Sequence, residues 1–118
     1  MFEKMIEISL LHDFYGQLLT AKQRELLKLY HEDNYSLSEI AEEYGISRQG
    51  VHDAVKKAEK ALYEYEKKLG LISKFAATEE AVAAIDSEIN QLMRENSRNK
   101  ELTEKLKRIK SIINKINE

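Results

Sequence analysis

The stretch "SLSEIAEEYGISRQGVHDAVKKAEKAL", residues 36–62, decides the fold, because Gly45 stands between two helical patterns of different length. Ser36 and Glu39 form the SxxE pattern of a capping box, in which each side chain satisfies an amide that the first helical turn leaves without a partner. Leu37, Ile40, Ala41 and Tyr44 then fall on one side of a short helix. Gly45 ends it, since a glycine just past the last helical residue can take the left-handed conformation and turn the chain sharply. Ile46 is expected to plug the corner and Ser47 to cap the next helix. That helix can run to about Leu69, with Val51, Val55, Ala58, Leu62, Tyr65 and Leu69 spaced by four and three, a length of about 34 Å. Lys67, Lys68 and Gly70 supply a basic last turn and a glycine stop. With the small Ala41 at the crossing point, the two helices read as a helix-turn-helix.

The start of the second helix remains outside this packing. It carries Ser47, Arg48, Gln49 and His52, followed by Lys56, Lys57 and Lys60, and these seven are the candidate DNA-binding residues. Arg48 can donate a bidentate pair to guanine and Gln49 can pair with adenine, each discriminating by roughly 1 to 3 kcal/mol. The lysines suit phosphates, as do Ser36, Ser38 and the amides at helix starts. Gly50 leaves room for close approach. Asp53, Glu39, Glu42 and Glu43 oppose a polyanion, so modest affinity is expected unless two chains act together.

On the N-terminal side, Met5, Ile6, Leu10, Phe14 and Leu18 recur at helical spacing, with Leu11 and Tyr15 widening the apolar face, and Gly16 stands at the end. Thr20 and Gln23 make a TxxQ capping box for a further helix with Leu26, Leu27, Leu29 and Tyr30 inside, stopped by "HEDNYS". On the C-terminal side, Thr78 with Glu79 and Glu80 is expected to open a helix after "LISKFAAT", with Val82, Ile85, Ile89 and Leu92 as its seam. After the polar break "RENSRN", Leu102, Leu106, Ile109, Ile113 and Ile116 form a second seam of the coiled-coil kind. The rhythm slips across the break, so two helices are expected, or one with a stutter. The organisation expected is a helix-turn-helix domain over residues 1–72 and a helical segment over 73–118.

Composition agrees with an all-α chain. The 118 residues include no proline, no cysteine and only four glycines. A chain of this length can bury roughly 60 to 70% of its unfolded surface. Net charge is −2, yet the last 25 residues carry eight basic against four acidic side chains. Without cysteine there is neither a disulfide framework nor a thiolate zinc site. His12, His31 and His52 lie in separate segments without paired ligand spacing, so no metal is expected. No phosphate-binding glycine loop and no Ser-His-Asp arrangement appears, and neither an enzyme nor a cofactor is expected. The apolar runs are too short for a membrane span or a leader, so a soluble cytoplasmic protein is expected.

"LLHDFYGQLLTAKQRELLKLY" with "SLSEIAEEYGISRQGVHDAVKKAEKALYEYEKKLGL" resembles the YlxM-type bacterial proteins of the UPF0122 group, over Leu10 to Leu71. The C-terminal third is similar only in helical character. The resemblance implies a bundle whose helix-turn-helix is similar to region 4 of RNA polymerase sigma factors, with Ser47, Arg48, Gln49, His52 and Lys56 as its DNA face. It also implies a genomic link to the signal recognition particle, and hence a regulatory role in protein targeting. A DNA-binding regulator is the leading reading. The alternative is an interaction module for the particle's GTPase or RNA that reads no DNA sequence, favoured by the low net charge and by Glu39, Glu42 and Glu43. The two C-terminal seams are each too short to stand alone, so they are expected to join two chains as a homodimer or to fold back on the long helix. A homodimer would set two recognition helices about 34 Å apart on one side of a duplex.

Overall fold

The computed structural model describes residues 2–116, Phe2 by its backbone alone. Every regular element among the described residues is helical: α1 (Phe2–Tyr15), a 3₁₀ turn (Gly16–Leu18), α2 (Ala21–Leu27) continued by a π turn (Lys28–Glu32), α3 (Leu37–Tyr44), α4 (Arg48–Leu69), α5 (Leu71–Glu95) and α6 (Lys100–Ile116). The chain divides into two compact units, Met1–Ile72 and Ser73–Glu118.

In the first unit α1, α2 and α3 all pack on α4. The caps fall where the sequence places them. Thr20 Oγ1 accepts from the Gln23 amide while the Gln23 carboxamide accepts from the Thr20 amide, both at 3.1 Å. Ser36 and Glu39 repeat the arrangement on α3 at 3.1 and 3.0 Å. Gly45 and Gly70 end α3 and α4 with φ of +66° and +60°. The Ile46 amide returns to the Ala41 carbonyl at 3.1 Å, the closing bond of a Schellman turn.

The core of this unit holds Ile8, Leu11 and Tyr15 of α1, Leu26 and Leu27 of α2, Ile40 and Ala41 of α3, and Val51, Val55, Ala58 and Leu62 of α4. α1 therefore buries a different side from the expected one. Met5, Ile6, Leu10 and Leu18, read as inward, are 43%, 65%, 41% and 53% exposed. The helix carries apolar residues on nearly every side, so spacing alone selects no face; contact with α4 does. Two smaller corrections concern Ile46 and Leu69. Ile46 lies half-exposed over the turn rather than inside the corner, and Leu69, at the end of the expected stripe, is 52% exposed.

One charged group enters this core. Glu59 is buried among the apolar residues of α4 and meets His31 Nε2 at 2.7 Å, which ties the π turn to the long helix. Burying a carboxylate is costly unless it is paired and hydrogen-bonded, and the imidazole supplies that partner.

α5 begins at Leu71, directly after Gly70, and not at Thr78 as the sequence suggests. Its first amides have distant acceptors in place of a local cap. The Leu71 amide donates to the Tyr15 hydroxyl at 3.1 Å and the Ile72 amide to Glu66 Oε1 at 3.0 Å, while the Tyr15 hydroxyl itself donates to Glu66. No glycine or proline lies between Leu71 and Glu95, so the helix propagates once started.

In the second unit α5 and α6 form an antiparallel hairpin around the turn at residues 96–99. Asn99 opens α6 by accepting from the Leu102 amide at 3.1 Å. Val82 and Ile89 of α5 pack with Leu106 and Ile113 of α6, and Met93 and Leu102 extend this small core. Among the described residues no helix is long and apolar enough to cross a membrane.

Candidate nucleic-acid interface

The Schellman turn at Gly45 fixes the angle between α3 and α4, and Ser47 sets where α4 begins. The Ser47 hydroxyl accepts from the Gly50 amide at 2.9 Å, so it acts first as the cap. A Cβ at Gly50 would stand 3.1 Å from that hydroxyl oxygen. The space at Gly50 is thus used inside the cap, a role that the sequence reading, which kept the space for an outside partner, did not assign.

Arg48, Gln49 and His52 come together with Leu37 of α3 around a shallow groove of about 420 Å³. All three polar side chains are exposed. Asp53, one turn on from Gln49, accepts from the Gln49 carboxamide nitrogen at 2.9 Å and lies 3.6 Å from His52 Nδ1. This carboxylate orients Gln49 and leaves one of its amide hydrogens and its carbonyl oxygen directed outward.

The lysines diverge from that cluster. Lys57 and Lys60 project from the outer side of α4. Lys56 turns toward α1 and the π turn: its Nζ lies 3.6 Å from Glu59 Oε1, and it lines a second groove of about 360 Å³ with Lys4, Tyr30, His31, Asn34 and Tyr35. Lys4 is the basic residue that sequence reasoning missed, because only the packing of α1 on α4 brings it beside Lys56.

The two helix starts differ in electrostatics. α3 holds Glu39 in its first turn, where the carboxylate closes the capping box and meets the partial positive charge of the helix end. α4 has no acidic residue in its first turn. Its amide end and Arg48 therefore face outward without a resident anion, which suits the approach of a phosphate. On α3, the Tyr44 phenol is pushed up to about 12 by burial and by the nearby Glu25 carboxylate, so it remains neutral.

A sequence profile of UPF0122, described as "Putative helix-turn-helix protein, YlxM / p13 like", matches residues 2–109. The chain belongs to the UPF0122 family. The match runs far past the Leu10–Leu71 stretch on which the resemblance rests, and it takes in α5 and most of α6. A UPF0122 protein of Listeria welshimeri is 39% identical over 112 residues, covering 95% of this chain and 99% of its own length. One from Desulforamulus reducens is 43% identical over 110 residues, 93% of this chain and 90% of the relative. Another, from a Geobacillus species, reaches 53% identity over 75 residues, 64% of this chain and 68% of the relative. This UPF0122 member is an all-α protein in which α3 and α4 are the two helices of the helix-turn-helix.

Proposed function

We infer that this chain is a cytoplasmic DNA-binding regulatory protein that lays the start of α4 in the major groove, in the manner of sigma factor region 4. One observation carries the reading: Arg48, Gln49 and His52 stand exposed together at the only one of the two helix-turn-helix starts that has no acid in its first turn. In this reading Arg48 and Gln49 meet base edges, Ser47 and the α4 amides hold a phosphate, and Lys57 and Lys60 follow the backbone. Lys56, turned toward Glu59, reaches phosphate together with Lys4. Two chains acting as a homodimer double these contacts, which offsets a net charge of −2.

Fluorescence anisotropy with duplex DNA over a salt series tests the reading. Affinity is expected to fall steeply as salt rises, and Arg48→Ala with Gln49→Ala to lower it further. Absent or salt-independent binding by the intact chain ends the proposal.

A second reading is an interaction module for the signal recognition particle's GTPase or RNA, acting in protein targeting. The exposed Glu39, Glu42 and Glu43 of α3 favour it, since they carry charge that a duplex repels. Pull-down with the particle's protein and RNA separates the two. Loss of DNA binding in Arg48→Ala, Gln49→Ala chains with that association intact supports the first reading.

A further inference from the structure

The α5–α6 hairpin leaves several of its large apolar residues outside its core. Val82, Ile89, Leu106 and Ile113 are buried between the helices, while Ile85, Leu92, Ile109, Ile112 and Ile116 are 48%, 43%, 43%, 61% and 60% exposed. These five share one face. Lys110 Nζ reaches Asn90 Oδ1 at 2.7 Å and Asp86 Oδ1 at 3.7 Å, which marks one side of the hairpin as polar. At about 100° per residue, Ile85 and Leu92 on α5 and the three isoleucines on α6 lie on the opposite side. A unit of this size with four buried side chains has too little core to stand alone, so that face calls for a cover.

We propose that the cover is the same face of a second copy, with α5 of each chain lying over α6 of the other. The charges at the two edges of the face argue for self-association over a foreign partner. Beyond Ile85 and Leu92, the α5 edge carries the exposed carboxylates Glu88 and Glu95; beyond Ile109 and Ile112, the α6 edge carries the exposed cations Arg108 and Lys115, with Glu101 and Glu104 nearer its start, where Glu101 lies 3.9 Å from Lys105. A two-fold axis running along the hairpin brings Glu88 of each chain onto Arg108 of the other, an opposite-charge pair made twice, as an isologous interface requires. The turn at 96–99 sets Glu88 level with Arg108, so these two meet across the axis. The surface deepens the chain pairing proposed above and is independent of the nucleic acid read by α4.

Sedimentation velocity of the full-length chain, without nucleic acid and over a micromolar concentration series, tests it. The unaltered chain is expected to be a dimer, and Ile112→Lys, a change at a 61% exposed position, to raise the dissociation constant at least tenfold with helicity unchanged. Glu88→Arg and Arg108→Glu are each expected to weaken the dimer as single changes. Mixing the two single variants is expected to restore it, because the heterodimer regains an opposite-charge pair on both sides of the axis. A monomer throughout the series overturns the pairing of chains. A dimer indifferent to Ile112→Lys overturns this face, and failure of the mixture to recover overturns the placement of α5 over the partner's α6. None of these outcomes depends on DNA binding, so each is separable from the failure of that reading.

Discussion

Gly45 sits at φ +66° with open space where a Cβ would be, so the demand for glycine comes from the backbone and not from crowding. An L-residue in that conformation costs about 1 kcal/mol, and asparagine, which visits the left-handed region more readily, costs less. Gly45→Ala is therefore expected to lower stability by about 1 kcal/mol in urea unfolding, with Gly45→Asn closer to the native value. Equal stability of the two variants would place the requirement elsewhere. Asp53 poses the opposite problem, because it holds Gln49 at 2.9 Å while carrying a charge that phosphates repel. In the DNA-binding reading, Asp53→Ala is expected to tighten non-specific duplex binding about two- to fivefold and to shrink the gap between matched and mismatched sites. Anisotropy on both duplexes measures the pair of effects; tighter binding with unchanged discrimination would show that Gln49 needs no orienting partner.

At the scale of elements, what the sequence makes legible is what is decided within four or five residues. The TxxQ and SxxE boxes, Ser47, Gly45 and Gly70 all involve neighbours in the chain, and each element boundary they imply is found. The start of α5 is different, because its amides are held by Tyr15 and Glu66 from helices that precede it. No local pattern around Leu71 announces a cap. Glu59 is another such case: its burial is made tolerable chiefly by His31, 28 residues earlier, with Lys56 3.6 Å from its other oxygen. Likewise the candidate site was legible as a run on one helix, whereas the turning of Lys56 toward Glu59 and Lys4 depends on how α1 docks. Tyr15→Phe tests the distant cap, since it removes the hydroxyl that accepts from Leu71 and donates to Glu66. Amide exchange at Leu71 is expected to quicken about tenfold, with α3 unaffected. Burial first, and then the Glu66 carboxylate, holds the Tyr15 phenol above its ordinary value of 10.0. The stability it confers is complete below about pH 10 and declines as pH rises further, because the unfolded chain loses that proton first. Native protein should therefore lose stability above pH 10 more steeply than Tyr15→Phe.

At the scale of the whole molecule, the two proposals make a joint prediction that neither makes alone. A net charge of −2 limits how many phosphates one chain can hold, so tight binding must come from joining two weak sites. Linked sites raise the effective concentration of the second recognition helix to the millimolar order, and the gain can reach about 100-fold without any new contact. A duplex with two half-sites about one helical turn, or a multiple of it, apart is thus expected to bind far more tightly than a duplex with one. Ile112→Lys lies on α6, away from the residues of α4 proposed to contact DNA, and so should leave affinity for the single half-site unaltered. It should abolish the advantage of the second half-site, because two separate chains no longer arrive together. Titration of both duplexes with native and variant protein reads the two quantities independently. If the variant keeps the full advantage, the pairing of chains on DNA does not run through the α5–α6 face; if native protein shows no advantage on any spacing, each chain reads DNA alone, and the affinity has to be found within the surface of a single α4.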